Sequence, residues 1–177
     1  MKKHVMIDIE ALGLRPGAAI TELGAVEFYP EEGWVGAKFE ALILPMAPLT
    51  ADLETLAWHK KQRTWPRTAE LEAEAMILSA ALSWFNEWFI SLGKVEAVWA
   101  WGATYDFPLL TAAYDVAGFN PPWSYFHCRC ARTVWQLAYG EKKHKVRPHL
   151  ALEDAVCGAV DLMAALGEME GVFCGGA

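Results

Sequence analysis

Three short segments of this chain hold four carboxylates and a histidine whose types and spacing could do chemistry. They contribute Asp8 and Glu10 in VMIDIEAL, Asp106 in VWAWGATYDFPLL, and His149 with Asp154 in RPHLALEDA. Alternate residues of a β-strand point to the same face, so Asp8 and Glu10 would project together. Because neighbouring buried carboxylates repel each other, a cation between them is the simplest explanation for their position. A metal-dependent site that cleaves phosphodiesters needs such a set of side chains.

Magnesium and manganese prefer oxygen ligands, which aspartate and glutamate supply. Hydrolysis places charge on both the attacking and the departing oxygen, and two ions about 3.5–4 Å apart can stabilise both. In this interpretation Asp8 bridges the ions, with Glu10 and Asp154 beside it, and Asp106 acts partly through water. His149, with an ordinary pKa of about 6.5, would take the proton from the attacking water.

Each of these signals has a plainer interpretation when it is taken alone. An Asp-x-Glu pair on a strand is a weak indicator of metal binding. Asp106 could cap a helix that begins at Phe107, and His149 could be a loop or cap residue. Their joint occurrence in this order, around a mixed sheet, favours the catalytic interpretation.

The composition predicts one domain over residues 1–177 with a substantial core. The chain is 54% hydrophobic and contains nine tryptophans, as expected of a packed globule. No apolar run approaches the roughly 18 residues that a membrane span needs, so no membrane partner is expected. Four cysteines without a CxxC pair indicate a reduced, cytoplasmic protein. A net charge of −7 argues against a broad basic face for long nucleic acids, but not against action at a strand end.

Apolar patterning predicts an α/β fold with a mixed sheet. Three strands with short connections, and therefore antiparallel, are expected over 4–10, about 19–29 and about 37–44. Later strands, parallel to the first in this fold, are expected over 95–101 and 124–128. Helices on both faces are expected over 51–62, with Thr50 as a candidate N-cap, and over 68–92, 107–117, 129–139 and 150–168.

The chain resembles the DEDD-type 3′–5′ exonucleases of the ribonuclease H-like fold, in the subclass whose last motif is His-x-Ala-x-x-Asp. HLALED at 149–154 matches that motif, whereas the sister subclass has tyrosine where this chain has Leu150. TLAWHKKQ at 55–62 and CRCARTVW at 128–135 are similar to segments of small single-domain bacterial and phage members. The resemblance implies release of nucleoside 5′-monophosphates from the 3′ ends of single-stranded DNA or RNA, in the cytoplasm of a bacterium or a phage-infected cell.

The resemblance also implies roles for individual residues. Two Mg²⁺ or Mn²⁺ ions would be held by Asp8, Glu10, Asp106 and Asp154, with His149 as general base. Similar small exonucleases often pair, which makes a homodimer a candidate assembly.

Substrate contacts are expected from a second group of residues. By the resemblance, Leu12 would wedge against the terminal base, although a plain turn hydrophobe explains it equally well. Trp58 could stack on a base, or belong to the core, and Gln62 lies one turn further along the same helix. Ala11 stands where relatives have a hydroxyl residue, which affects substrate preference, and Arg132 could contact phosphate or a neighbouring subunit.

One basic cluster lies beside the candidate site. It consists of Lys142, Lys143, Lys145 and Arg147, and it directly precedes His149. A solvated face is its plain interpretation, and its position is the reason to consider another.

Three other functions stay open at this point. A ribonuclease H-like endonuclease would share the acidic strands but would not be expected to carry His-x-Ala-x-x-Asp. A catalytically weak module that binds nucleic-acid ends or protein would not cleave a 3′ end with Mn²⁺. A structural domain with its acids neutralised by arginines would not be stabilised by metal.

Overall fold

The β-strands form one mixed sheet in the computed structural model, which describes residues 1–140 and 147–174. In chain order they are β1 (His4–Ala11), β2 (Ile20–Tyr29), β3 (Trp34–Leu42), β4 (Ala97–Ala100) and β5 (Cys128–Cys130). The order across the sheet is β3-β2-β1-β4-β5, with antiparallel pairing among the first three strands and parallel pairing of β1 with β4 and β4 with β5. This arrangement confirms the predicted fold class.

Helices cover both faces of the sheet. They are α1 (Leu53–Gln62), α2 (Ala69–Glu74), α3 (Leu78–Ser91), α4 (Ala103–Ala117), α5 (Ala131–Tyr139) and α6 (Ala151–Cys174). Helices α3 and α4 pack on one face, where Leu82 and Tyr114 join Ile7 in a buried core. Helix α6 packs on the other face, where Ala159 joins Met6. Because side chains alternate along β1, the face that carries Met6 is also the face of Asp8 and Glu10.

The predicted helix over 68–92 is wrong, because the chain forms two helices with an extended break between them. Ala75 is extended, and Met76 pairs with the end of β3: its N–H donates to the Leu42 carbonyl at 2.9 Å, and the Leu44 N–H donates to the Met76 carbonyl at 2.9 Å. The apolar residues on either side keep a helical spacing through the break. The apolar spacing alone therefore could not reveal that Met76 pairs with Leu42 and Leu44, which are distant in sequence.

Several other boundaries differ from the predictions by a few residues. Helix α1 begins at Leu53 with Asp52 as its N-cap residue, rather than at Ala51 after Thr50. Helix α4 begins at Ala103, so Asp106 lies inside its first turn and does not cap it. The predicted strand over 124–128 is a 3-10 turn over 125–127 followed by β5. Within the ranges that the structure describes, no helix has the length and apolar character to cross a membrane.

Candidate active site

The acidic side chains predicted from the three motifs meet at the carboxyl ends of β1 and β4. Asp8 and Glu10 come from β1, and Asp106 comes from the first turn of α4, which follows β4 after Gly102. Asp8, Glu10, Asp106, His149 and Asp154 all line one pocket of about 1140 Å³. The structure therefore brings together all five side chains, which are up to 146 residues apart in sequence (154 − 8).

The first turn of α6 packs closely against strand β2. Gly24 pairs with Asp8, and a Cβ atom on Gly24 would lie 2.2 Å from the carbonyl carbon of Ala151. The carboxylate of Glu22, which is opposite Glu10 in the sheet, accepts a hydrogen bond from the Ala151 N–H at 3.3 Å. A glycine lets the helix backbone approach the strand, and an acceptor satisfies one of the free N–H groups of the helix start. This close packing places Asp154, in the same turn, beside β1.

His149 precedes α6 in a strained conformation. Its φ angle is 59°, in the left-handed region that a side chain disfavours. Its backbone acts against burial to lower the pKa of Asp154, and its ring meets the Trp58 ring edge-to-face with the centroids 4.8 Å apart. Such strain persists only where the surroundings hold the residue in place.

Burial raises the pKa of every carboxyl group in the site, and repulsion by neighbouring site carboxylates adds to it at Asp8 and Glu10. Burial, followed by the charges of Asp106 and Glu10, raises the pKa of Asp8 well above its usual range. Burial, Glu22 and Asp154 raise the pKa of Glu10 to about 8. Burial raises the pKa of Asp106 to about 7, although backbone hydrogen bonds and Arg132 act in the opposite direction. When ionised, the carboxyl groups that line the pocket outnumber the arginines that line it.

Asp154 has the clearest unmet bonding capacity in this pocket. Burial raises its pKa, while the charges of Arg147 and His149 lower it. Its Oδ1 atom is buried and has no hydrogen-bond partner in the described part of the chain. One ligand atom each from Glu10, His149 and Asp154 lie within 4.8 Å of one another, whereas Asp8 and Asp106 line the pocket outside this tightest group. An oxygen-rich donor set with an unsatisfied buried carboxylate fits a divalent cation.

Three of the five predicted substrate residues line the pocket. Ala11 lies at the end of β1, Trp58 projects from α1 with 39% of its surface exposed, and Arg132 lies in the first turn of α5. The predicted contact of Leu12 with a terminal base is not supported, because its side chain is 3% exposed and lies outside the pocket wall. Leu14, which is 71% exposed, is the leucine of this loop that lines the pocket.

Gln62 also lies outside the pocket. It is exposed at the last position of α1, beyond the helix face that reaches the site. The members of α1 that line the pocket are Leu53, Glu54, Thr55, Trp58 and His59. A spacing of three and four residues identified the correct helix face but not how far the pocket extends along it.

His59 is a structural residue of the site that the sequence interpretation missed. It is 3% exposed, with Nε2 2.9 Å from the Ala11 carbonyl oxygen and Nδ1 2.8 Å from the Thr64 hydroxyl. It therefore connects α1, and with it Trp58, to the end of β1. Its position in an exposed, basic helix gave no sign of burial. Gly24 did carry a signal, since a glycine inside an apolar strand often marks a close backbone approach.

Only part of the basic cluster falls within the residues that the structure describes. Lys142, Lys143 and Lys145 lie outside the described residues. Arg147 lines the pocket, and its side chain is 9% exposed. The interpretation of the cluster as a solvated face is therefore wrong for Arg147.

Comparisons with known proteins agree with this geometry. The family model of the Rv2179c-like 3′–5′ exoribonuclease domain matches residues 3–164. No curated protein matches the chain by sequence at a significant level.

Several solved structures share the fold. Exonuclease X, solved in complex with 5′ overhanging duplex DNA, has a TM-score of 0.62 at 15% identity, covering 93% of this chain and 91% of that one. The nuclease domain of 3′hExo, a DEDDh family member bound to rAMP, has a TM-score of 0.65 at 13% identity, covering 96% and 93%. A product-bound exonuclease I has a TM-score of 0.67 at 13% identity, covering 96% of this chain but 43% of that one.

The structural likeness establishes the fold, and the family model covers almost the whole chain. The chain therefore belongs to the Rv2179c-like 3′–5′ exoribonuclease family, and it is a 3′–5′ exonuclease of the DEDDh type with the ribonuclease H-like fold.

Proposed function

We propose that this exonuclease removes nucleoside 5′-monophosphates from the 3′ end of single-stranded RNA, with two Mg²⁺ or Mn²⁺ ions and a histidine base. The observation that carries the proposal is the pocket in which Asp8, Glu10, Asp106 and Asp154 crowd their charges beside His149. RNA is the first choice because the family is described as exoribonucleases. DNA is the second candidate, since exonuclease X was solved with 5′ overhanging duplex DNA.

The four carboxylates would hold the metal ions, and Oδ1 of Asp154, which is buried without a hydrogen-bond partner among the described residues, is free to coordinate one. When bound, such ions supply charge stabilisation for the attacking and departing oxygens. They would also offset the repulsion that raises the carboxyl pKa values. Asp8 keeps its proposed place as the shared ligand, because it lines the pocket among Asp106, Glu10 and Asp154, whose charges add to burial in raising its pKa.

His149 would take the proton from the attacking water. Its ring nitrogen lies within 4.8 Å of carboxylate oxygens of Glu10 and Asp154, so it stands beside two of the proposed metal ligands. The Trp58 ring limits rotation of the imidazole from the other side. A histidine so close to carboxylates can also bind a metal ion directly, and the two roles predict different effects of its removal.

The pocket wall suggests how a terminal nucleotide is held. Trp58 and the exposed Leu14 offer apolar surface to bases, and Arg132 offers a cation to phosphate. Stacking of a base on an aromatic side chain contributes about 1–3 kcal/mol and tolerates any sequence. Ala11 provides a small side chain at the strand end, where its carbonyl is already bonded to His59.

Product analysis tests this proposal. RNA and DNA oligonucleotides of one sequence are incubated with the protein and Mn²⁺, and the products are separated by chromatography. Nucleoside 5′-monophosphates should accumulate from the first turnover, faster from RNA. Early release of internal fragments or of 3′-monophosphates would contradict the proposed reaction, and faster release from DNA would contradict the proposed substrate.

A further inference from the structure

Arg147 makes three buried contacts beside the active site. Its Nη1 donates to the carbonyl oxygen of Asp154 at 2.7 Å, and its Nη2 donates to Oδ2 of Asp161 at 3.0 Å. Its guanidinium carbon lies 4.3 Å from the centroid of the Trp101 ring. A buried arginine with both terminal nitrogens bonded and its flat face covered by an aromatic ring is held in a single position.

These contacts join the elements that carry the catalytic groups. Arg147 is two residues before His149, whereas Asp154 and Asp161 lie in the first and third turns of α6. Trp101 directly follows β4 and precedes Gly102, the N-cap residue of the helix that carries Asp106. One side chain therefore connects the approach to His149 with α6 and with the end of β4.

The backbone of His149 needs such support. Its left-handed conformation is unfavourable for a residue with a side chain, and it follows a proline at the start of a helix. Trp58 contacts its ring on one side. On the other side, Arg147 is the described residue that ties the chain before His149 to the body of the fold.

We propose that Arg147 is a positioning residue for His149: its planar fork fixes the chain before His149 to α6 and Trp101, so that the imidazole stays beside Glu10 and Asp154. The inference rests on the proposed role of His149 as general base. Arginine is suited to this task because its donors diverge in fixed directions, whereas lysine presents one flexible ammonium group.

Direct contact with substrate phosphate is the competing role for Arg147, since it lines the pocket. Its two terminal nitrogens are already bonded to protein oxygens, and its side chain is 9% exposed. A residue in that state contributes to the order of the site and not to the capture of RNA. The two roles separate in the kinetic constants, because phosphate contacts affect KM whereas positioning of the base affects kcat.

The substitution Arg147→Lys tests the inference because it keeps the charge and removes the fork. We expect kcat on RNA to fall about 10–100-fold, while KM and the half-saturating Mn²⁺ concentration stay close to the wild-type values. Arg129→Lys is the matched control, because Arg129 is exposed, bonds carbonyls of its own segment and lies outside the pocket. A rise in KM with unchanged kcat would overturn the positioning role in favour of phosphate contact.

A double-mutant cycle with His149→Ala makes the test specific. If Arg147 acts through His149, Arg147→Lys should cost little in a protein that already lacks the imidazole. Equal losses in both backgrounds would overturn the inference. No loss from His149→Ala alone would instead refute the proposed base, so the two failures are distinguishable.

Asp161→Ala provides a second variant if Arg147→Lys does not fold. Asp161 is outside the pocket and partly exposed, and its removal breaks one arm of the fork. We expect a smaller loss of kcat that disappears in the His149→Ala background. An unchanged kcat for folded Asp161→Ala, or a loss that persists without the imidazole, would contradict the proposal.

Discussion

At the scale of single residues, the site combines groups that would be unfavourable anywhere else in the fold. Asp8, Glu10 and Asp106 are carboxyl groups at the end of a central strand or in the adjoining helix turn, and burial raises the pKa of each. Burial of like charges destabilises a protein unless a partner of opposite charge offsets it. A bound cation would offset this destabilisation, so the same carboxylates that destabilise the fold would serve to bind the metal.

Asp8→Asn should abolish cleavage. The amide is close in size to the carboxylate but removes the charge of the proposed shared ligand, so metal binding at that position should fail. The measurement is the rate of mononucleotide release with saturating Mn²⁺. Asp115→Asn, on an exposed part of α4, is the control and should keep normal activity. Near-normal turnover by Asp8→Asn would refute the two-metal assignment.

His149→Ala should slow turnover by about 10²–10⁴-fold, the usual contribution of a general base. Metal binding, measured as the rise in melting temperature with Mn²⁺, should stay close to that of the wild type. Loss of the metal-induced rise would assign His149 as a ligand, as its position beside Glu10 and Asp154 also permits.

The raised pKa of Glu10 predicts how stability changes with pH when no metal is present. Its pKa is about 8 in the folded protein against an ordinary value of 4.5. Between these values the folded protein retains a proton that the unfolded chain has lost, so raising the pH favours unfolding. Glu10→Gln removes this effect and should therefore raise the melting temperature in EDTA more at pH 8 than at pH 5.5, relative to the wild type. An equal difference at both pH values would contradict a raised pKa at Glu10.

At the scale of elements, the position of α6 on β2 determines where Asp154 and His149 stand. Gly24 permits the contact, and Glu22 bonds the first N–H of the helix. Neither residue carries out chemistry. Both help to place the motif of His149 and Asp154 beside the motif of Asp8 and Glu10.

Gly24→Ala should displace the start of α6. The new Cβ would lie 2.2 Å from backbone atoms of Ala151, so the helix must move away from the sheet. We expect a lower melting temperature and a loss of activity of at least about tenfold, since misplacement of about 1 Å can cost 10²-fold. Gly167→Ala is the control in the same helix, where a Cβ meets nothing within 4 Å, and it should be neutral or stabilising. Equal activity for Gly24→Ala and wild type would contradict the role of this contact.

The elements also show what sequence patterning can and cannot predict. Strand β1 and helix α6 were predictable because their apolar spacing is regular and their motifs stand at fixed positions. The break at Met76 was not, because it depends on a backbone pairing with Leu42 and Leu44. The sequence also did not show whether Leu12 or Leu14 lines the pocket, because the folded path of their loop determines which side chain faces it.

At the scale of the whole molecule, the sheet order explains how distant motifs form one site. Strand β1, which carries Asp8 and Glu10, lies between β2 and β4. Its neighbour β2 contacts the start of α6, and its neighbour β4 leads into the helix of Asp106. The meeting of the five catalytic candidates in one pocket could be predicted from their motifs taken together, although each motif alone is a weak signal. The supporting residues could not, because His59 and Arg147 have the same composition signals as solvated basic residues.

Net charge limits how the molecule meets its substrate. A chain of −7 attracts nucleic acid weakly over most of its surface. Two divalent ions would offset the four site carboxylates and make the pocket locally neutral. We therefore expect the enzyme to bind the free 3′ end of one strand rather than a long tract of nucleic acid.

The central claim is metal-dependent digestion from the 3′ end, and a paired labelling experiment tests it most directly. Single-stranded RNA labelled at either the 3′ or the 5′ end is incubated with wild type or Asp8→Asn, in Mg²⁺, Mn²⁺ or EDTA. Wild type with metal should release the 3′ label at once as a mononucleotide and shorten the 5′-labelled strand stepwise, with no cleavage in EDTA or by the variant. Release of the 5′ label first, or equal digestion in EDTA, would contradict the account.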